Sequence, residues 1–239
     1  MIRCLATAVA LIALGTPIAE ANAQDDVTAA RCPGAKAWLD AFGRTMEARM
    51  QANGKPSPPG DPALRAELDR RFEDDQARRR AAMASPTNEG LAQATMAVDK
   101  ANLAWMKIHF VAEGFPSVDA VGHRGVEEAF ILVQHADQDL AFQSSMLPVV
   151  AKLGSRGDVM KGDVAMLTDR VLVAQGKPQR YGTQYDIDAG TGHAVKMSLK
   201  PVEDRVHLDT RRAAMELMPQ ADYDCMLRVA YTPAPPAAP

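Results

Sequence analysis

This sequence predicts a mainly α-helical fold, a helical domain of about six to eight helices carrying one small β-hairpin. Three observations point there. Apolar residues recur at three- and four-residue spacing through most of the chain from 33 to 175. Breaks bearing Gly or Pro, at 51–62, 85–88, 113–116 and 154–157, cut that pattern into helix-length pieces. Only after Gly176 does the spacing turn to period two.

The first residues stand apart from the fold. Arg3 gives a positive start, 4–18 is an apolar Ala/Leu-rich segment, and Ala21-Asn22-Ala23 supplies small residues before Gln24. The pattern predicts a secretory signal peptide over 1–23 and an exported protein, periplasmic or secreted. The other reading, a membrane anchor, needs a longer run, since about fifteen apolar residues is short for a span. Cleavage would remove Arg3 and Glu20 and leave the formal net charge at -3. No later run approaches membrane length, so no span is expected after cleavage. The mildly acidic balance argues against nucleic acid, which calls for a basic face.

Within the remaining chain, Trp38, Leu39, Phe42, Met46 and Met50 mark a first helix over 33–50. The stretch 51–62 is a Pro/Gly-rich linker, so residues 24–62 read as an N-terminal helix plus linker, and 63–230 as the domain carrying the polar motifs. Asp61-Pro62 opens a second helix as N-cap and first turn, with Leu64, Leu68 and Phe72 on one face and a charged run at 73–80. A third helix runs to about 111 and closes on Gly114 and Pro116. A fourth covers about 120–135. A fifth covers 138–153, with Pro148 expected to kink or divide it. A sixth covers 161–175. Strands are expected over 181–187 and 193–199 around a Gly-bearing turn at 188–192. A last helical stretch spans 203–217, and 231–239 is a Pro/Ala tail expected to be disordered.

Cys32 and Cys225 remain once Cys4 is set aside. In an oxidising compartment an even pair is expected to close as a disulfide, although two free thiols remain the alternative. Closing so long a loop is worth roughly 4–5 kcal/mol in the chain-entropy picture.

Polar chemistry concentrates in 134–184. Glu128 and His135 share one stripe of the fourth helix, with His135 at its C-terminal end. There the imidazole either caps free carbonyls or does chemistry. Asp137 precedes a helical run and reads as an N-cap that also stiffens the corner. Asp169 and Arg170 both rise from an apolar wall, which costs several kcal/mol unless each is paired. Adjacent positions lie about 100° apart, so the two should have different partners. A buried ion network and a binding site both fit them. Gln179, Arg180, Tyr181, Thr183 and Gln184 add donors and acceptors on a loop feeding a strand. No metal or other cofactor is expected, because the histidines lack ligand spacing, although His135, Asp137 and Asp169 offer suitable atoms.

These blocks resemble an uncharacterised bacterial family, a domain of unknown function. The resemblance covers about 64–223 and is carried by Asp75-Gln76-x-Arg78, Gly114-Phe115-Pro116, Gln134-His135-Ala136-Asp137, Leu167-Thr168-Asp169-Arg170 and Gly176-Lys177-x-Gln179-x-Tyr181-Gly182-Thr183-Gln184. Arg211-Arg212 resembles its closing motif, and Phe115 departs from a tryptophan. The resemblance implies that Asp75, Arg78, His135, Asp169, Arg170, Gln179 and Gln184 belong to one feature, with Arg79 and Arg80 solvated. It implies no activity.

Two functions follow. One is a hydrolase-like enzyme with His135 as general acid or base, Asp169 or Glu128 orienting it, and a small polar or anionic substrate held by Asp75, Arg78, Arg170, Gln179, Tyr181, Thr183 and Gln184. The other is a non-catalytic binding module for a small polar ligand or a cell-envelope component. A buried packing network is the plainer alternative to both.

Overall fold

The computed structural model describes residues 30–53, 57–85, 87–188 and 196–231. The signal-peptide region, most of the hairpin turn and the tail from 232 onward lie outside the described residues. Eight helices and one two-stranded hairpin are present among the described residues: α1 (Pro33–Asn53), α2 (Pro62–Ala84), α3 (Glu89–Ala112), α4 (Val118–Gln134), α5 (Leu140–Arg156), α6 (Lys161–Ala174), β1 (Tyr185–Asp188), β2 (Lys196–Leu199), α7 (Leu208–Ala214) and α8 (Gln220–Tyr231). The fold is mainly α, as the spacing predicts. It divides into two compact units, residues 55–175 and the residues up to 54 together with those from 176 onward. Helix α1 therefore groups with the C-terminal segment.

In the 55–175 unit every helix but α6 starts on a side-chain cap. Asp61 Oδ1 accepts from the Leu64 amide at 2.9 Å with Pro62 at the first turn, and Asn88 Oδ1 accepts from Leu91 at 3.2 Å. Such caps satisfy donors that a helix start leaves open, at about 1 kcal/mol each. Helix α2 packs against α3 and α4, and α5 against α6. Leu68, Met106, Val126, Phe130, Leu132 and Leu167 form the dry centre. Full burial of side chains of this size is worth roughly 1.5–3 kcal/mol apiece.

Two backbone details depart from the expected pattern. Gly122 adopts φ 72° and ψ 167° inside α4 and breaks the helix there, a conformation open to glycine and costly for other residues. Pro148 lies inside α5 without dividing it. That helix instead ends at Gly157, whose φ of 81° gives the left-handed C-cap.

In the other unit, Cys32 and Cys225 form a disulfide joining the start of α1 to α8 across a sequence separation of 193. Cys32, Ala35, Met218 and Val229 make its core, with Trp38, Leu39, Tyr223 and Met226 packed on it. The hairpin pairs Tyr185 with Leu199 and Asp188 with Lys196, antiparallel. It is shorter than its period-two signal, because the chain bends at 181–182, where Gly182 has φ 68°. Arg212 of α7 is fully buried here. Its Nε donates to the Met218 carbonyl at 2.6 Å, and its Nη1 to the Tyr181 carbonyl at 2.7 Å and to Gln220 Oε1 at 2.8 Å. Helix α8 was not foreseen as a helix. Among the described residues no helix is long and apolar enough to cross a membrane.

Candidate functional site

The 55–175 unit brings together side chains from α2, α3 and the end of α4. His135 is the C-cap residue of α4, and its backbone N–H donates to the Ile131 carbonyl at 3.0 Å. Its ring is buried, the residue being 3% exposed. His135 Nδ1 lies 3.0 Å from both carboxylate oxygens of Asp75, a residue 1% exposed on α2. Gln76 Nε2 also donates to Asp75 at 2.8 Å, and Arg79 Nε donates to both its oxygens at 3.2 and 3.3 Å. Arg79 Nη2 reaches across to Asp99 of α3 at 2.5 Å. The result is a hydrogen-bonded chain, Asp99 to Arg79 to Asp75 to His135.

Burial and neighbouring charge shift each acid and the imidazole of this chain. Burial pushes the Asp75 carboxyl upward, but His135 and Arg79 outweigh it and hold Asp75 below its ordinary value. Burial pushes His135 down, against the pull of Asp75. Asp99 is pushed up to about 7 by burial, with Arg79 opposing. A neutral imidazole facing an ionised carboxylate must place its proton on Nδ1, because the carboxylate only accepts. His135 Nε2 then carries a lone pair. It is buried and has no hydrogen-bond partner among the described residues.

A second connection surrounds the corner after His135. Asp137 does not cap α5; Asp139 does, accepting from the Phe142 amide at 2.9 Å. The helix begins at Leu140, so the later of the two acids sits at the cap position. Asp137 instead accepts from Arg170 Nη1 of α6 at 2.7 and 2.5 Å and from Gln143 Nε2 of α5 at 3.1 Å. Gln143 also donates to the carbonyls of Val133 and Gln134 at 3.3 and 3.0 Å, meeting acceptors that the end of α4 leaves open.

The other expected site residues fall into separate settings. Glu128 is buried, but its carboxylate binds Arg65 at 2.5 Å and Arg124 at 2.8 Å. Asp169 is fully buried in α6 and engaged in an interaction of its own. The inward arginine is Arg79 rather than Arg78. The Arg78 side chain is 50% exposed and pairs with Asp74, whereas that of Arg79 is 19% exposed. Helix geometry explains the difference, since four residues on from Asp75 is Arg79.

In the other unit, Gln179 is fully buried and acts as a local brace. Its Nε2 donates to the carbonyls of Gln184 and Lys200 at 2.9 and 3.0 Å, and its Oε1 accepts from the Gln184 amide at 2.8 Å. Gln184 Nε2 donates to Thr183 Oγ1 at 3.0 Å, and the Tyr181 carbonyl receives Arg212.

Arg79, Asp99 and Gln143 were missed as site residues. Asp99 carried a fainter signal than Asp169, with Met96 and Leu103 at helical spacing but Thr95 and Asn102 beside them. Asp75, Asp99 and His135 offer ligand atoms within 4.8 Å of one another, which could hold a metal ion. Arg79 already supplies a positive charge to both carboxylates. A cavity of about 330 Å³ opens nearby between α2 and α3, lined by residues that include Arg70, Arg71, Asp74, Val98 and Asn102 but not His135.

No curated protein and no solved structure matched the chain. The polar set from Asp75 to Arg212 lies within the stretch that a family profile recognises. Over residues 62–233 this chain belongs to DUF6624, a family of unknown function.

Proposed function

We propose that the 55–175 unit is a hydrolase-like catalytic domain in which His135 is the general base and later the general acid, oriented by Asp75. One observation carries this reading: Nδ1 of His135 is held by a buried carboxylate while Nε2 is left bare. A carboxylate on one ring nitrogen fixes the tautomer and raises the basicity of the other. Burial holds the imidazole neutral, which is the state a base requires. Asp75 takes the orienting role expected of Glu128 or Asp169, and Arg79 with Asp99 positions Asp75. The substrate is a small polar or anionic molecule. Export through the 1–23 segment belongs to the same proposal, supported by the Cys32–Cys225 disulfide.

The test uses the full-length oxidised protein. Nitrogen NMR of labelled histidine should show His135 as the Nδ1–H tautomer at pH 7, and an Nε2–H tautomer or an imidazolium would overturn the proposal. A panel of chromogenic esters, amides and phosphomonoesters should then yield a turnover that both His135→Asn and Asp75→Asn abolish. A second reading, a buried packing network, is favoured by how deeply His135 is buried. A sharp loss of thermal stability in both variants, with no turnover and no ligand binding, would select it.

A further inference from the structure

Arg170 carries an anomaly that Asp137 does not resolve. Its side chain is 8% exposed, and only Nη1 is matched, by the two oxygens of Asp137. Nε and Nη2 are both buried without a hydrogen-bond partner among the described residues. These two atoms carry the N–H groups along one side of the planar guanidinium, the fork that grips a carboxylate or phosphate with two parallel bonds. A buried cation with such an edge unmatched is costly, and a native structure rarely keeps one without a use.

The neighbouring atoms share the condition. Gln134 is 1% exposed, and neither its Nε2 nor its Oε1 has a partner among the described residues. The next residue is His135 with its bare Nε2, and the charge of Arg170 is near enough to weigh against the imidazolium. Three side chains at one corner thus hold five unmet polar atoms, four on Arg170 and Gln134 and one on His135. The acid on the far side, Asp137, is the exposed member of its pair and anchors Arg170 from the opposite end.

We infer that the Nε/Nη2 edge of Arg170 receives an oxyanion group, carboxylate or phosphate, of the molecule that this site binds. Gln134 supplies a further donor, and the anion stands beside His135. The inference rests on the site reading above for its catalytic meaning, but not for binding itself. Asp137 makes the fork directional: it occupies Nη1 and leaves only the side-on edge for a ligand. A lysine in place of Arg170 would keep the charge and lose the fork.

The experiment is an anion titration of the full-length, disulfide-intact protein, followed through arginine Nε–H correlations. Sodium phosphate and sodium acetate are added separately, at ionic strength held constant with chloride. The Arg170 signal, assigned by its loss in Arg170→Lys, should move saturably with at least one anion. Phosphate alone identifies a phosphoryl ligand, acetate alone a carboxylate, and both a general oxyanion site. In Arg170→Lys the affinity read from the amides of 134–137 should fall roughly tenfold or more. No saturable shift with either anion overturns the inference, as does a lysine variant that binds within about twofold of the parent. If Arg170→Lys does not fold, the wild-type titration decides alone, with the signal assigned through backbone connectivity. Failure here with the Nδ1–H tautomer intact sinks only the anion site. A wrong His135 tautomer with a saturable anion response sinks only the hydrolase reading.

Discussion

Replacing Asp75 by asparagine removes the charge at the centre of the buried chain while keeping its shape. In the native protein that carboxylate accepts from His135 Nδ1, from Gln76 Nε2 and from Arg79 Nε. An asparagine offers one acceptor in place of two and an NH2 group, so His135 must either face a donor or shift its proton to Nε2. Breaking a fully buried ion pair costs about 3–5 kcal/mol. Arg79 is partly exposed and keeps Asp99, so the loss here should be smaller, about 2–3 kcal/mol. Urea unfolding measures it, provided the two units are read separately. Trp105 lies in the 55–175 unit and Trp38 in the other. A Trp38→Phe background therefore makes fluorescence report the unit that holds Asp75. A loss below about 1 kcal/mol, with an unchanged m-value, would refute a buried charge partnership and reduce the contact to surface strength.

The pH response follows from the same groups. His135 is held low, so its folded form prefers neutrality. The associated stability is complete above about pH 6.5 and is lost as pH falls toward the folded value. Its ring signals should stay in the neutral position from pH 8 to about 6, and titration near its unperturbed value would contradict the burial argument. Asp99 runs the other way: raised to about 7, it contributes stability below about pH 3.9 that is lost as pH rises through 7, and Asp99→Asn should remove that decline. Reducing the Cys32–Cys225 bond should cost the smaller unit about 5 kcal/mol by the loop entropy of a 193-residue separation. An unchanged Trp38 transition would show that the bond adds nothing. Arg212→Ala should destabilise that unit by about 3 kcal/mol or more, since buried carbonyls lose their donor. Arg212→Lys should not rescue it, because one nitrogen cannot stand in for the separate Nε and Nη1 positions that reach four acceptors.

Helices α1 to α6 were legible because their apolar stripes agree with the Gly- and Pro-bearing breaks between them. Trp38, Leu39 and Phe42 mark the packed side of α1, and Asp61-Pro62 marks the start of α2. Helix α8 did carry a stripe, Tyr223, Met226, Leu227 and Ala230 at helical spacing, on a short segment before the Pro/Ala tail. Gly122 looked like an ordinary glycine in a helix, since nothing local reveals a positive φ. At the site, the sequence singled out His135 and Arg170, whose apolar neighbours make a polar group conspicuous. It failed where the answer depends on phase or on which of two like residues is used. Arg78 and Arg79 differ by about 100° around α2, and Asp137 and Asp139 differ by where the chain turns. Partnerships such as His135 with Asp75 span 60 positions, a separation no local pattern encodes.

The division of the chain has a consequence for the order in which it folds. Residues 55–175 form one uninterrupted unit, whose helices can dock as soon as they are made. The other unit is split by that insertion, and its core of Cys32, Ala35, Met218 and Val229 closes only when the last of these arrives. Through the whole interval α1 must wait with its apolar side uncovered and its thiol unpaired. No cysteine lies between Cys32 and Cys225. The intervening unit therefore offers the waiting thiol no rival, and the native bond is reached without any reshuffling among cysteines of the insertion.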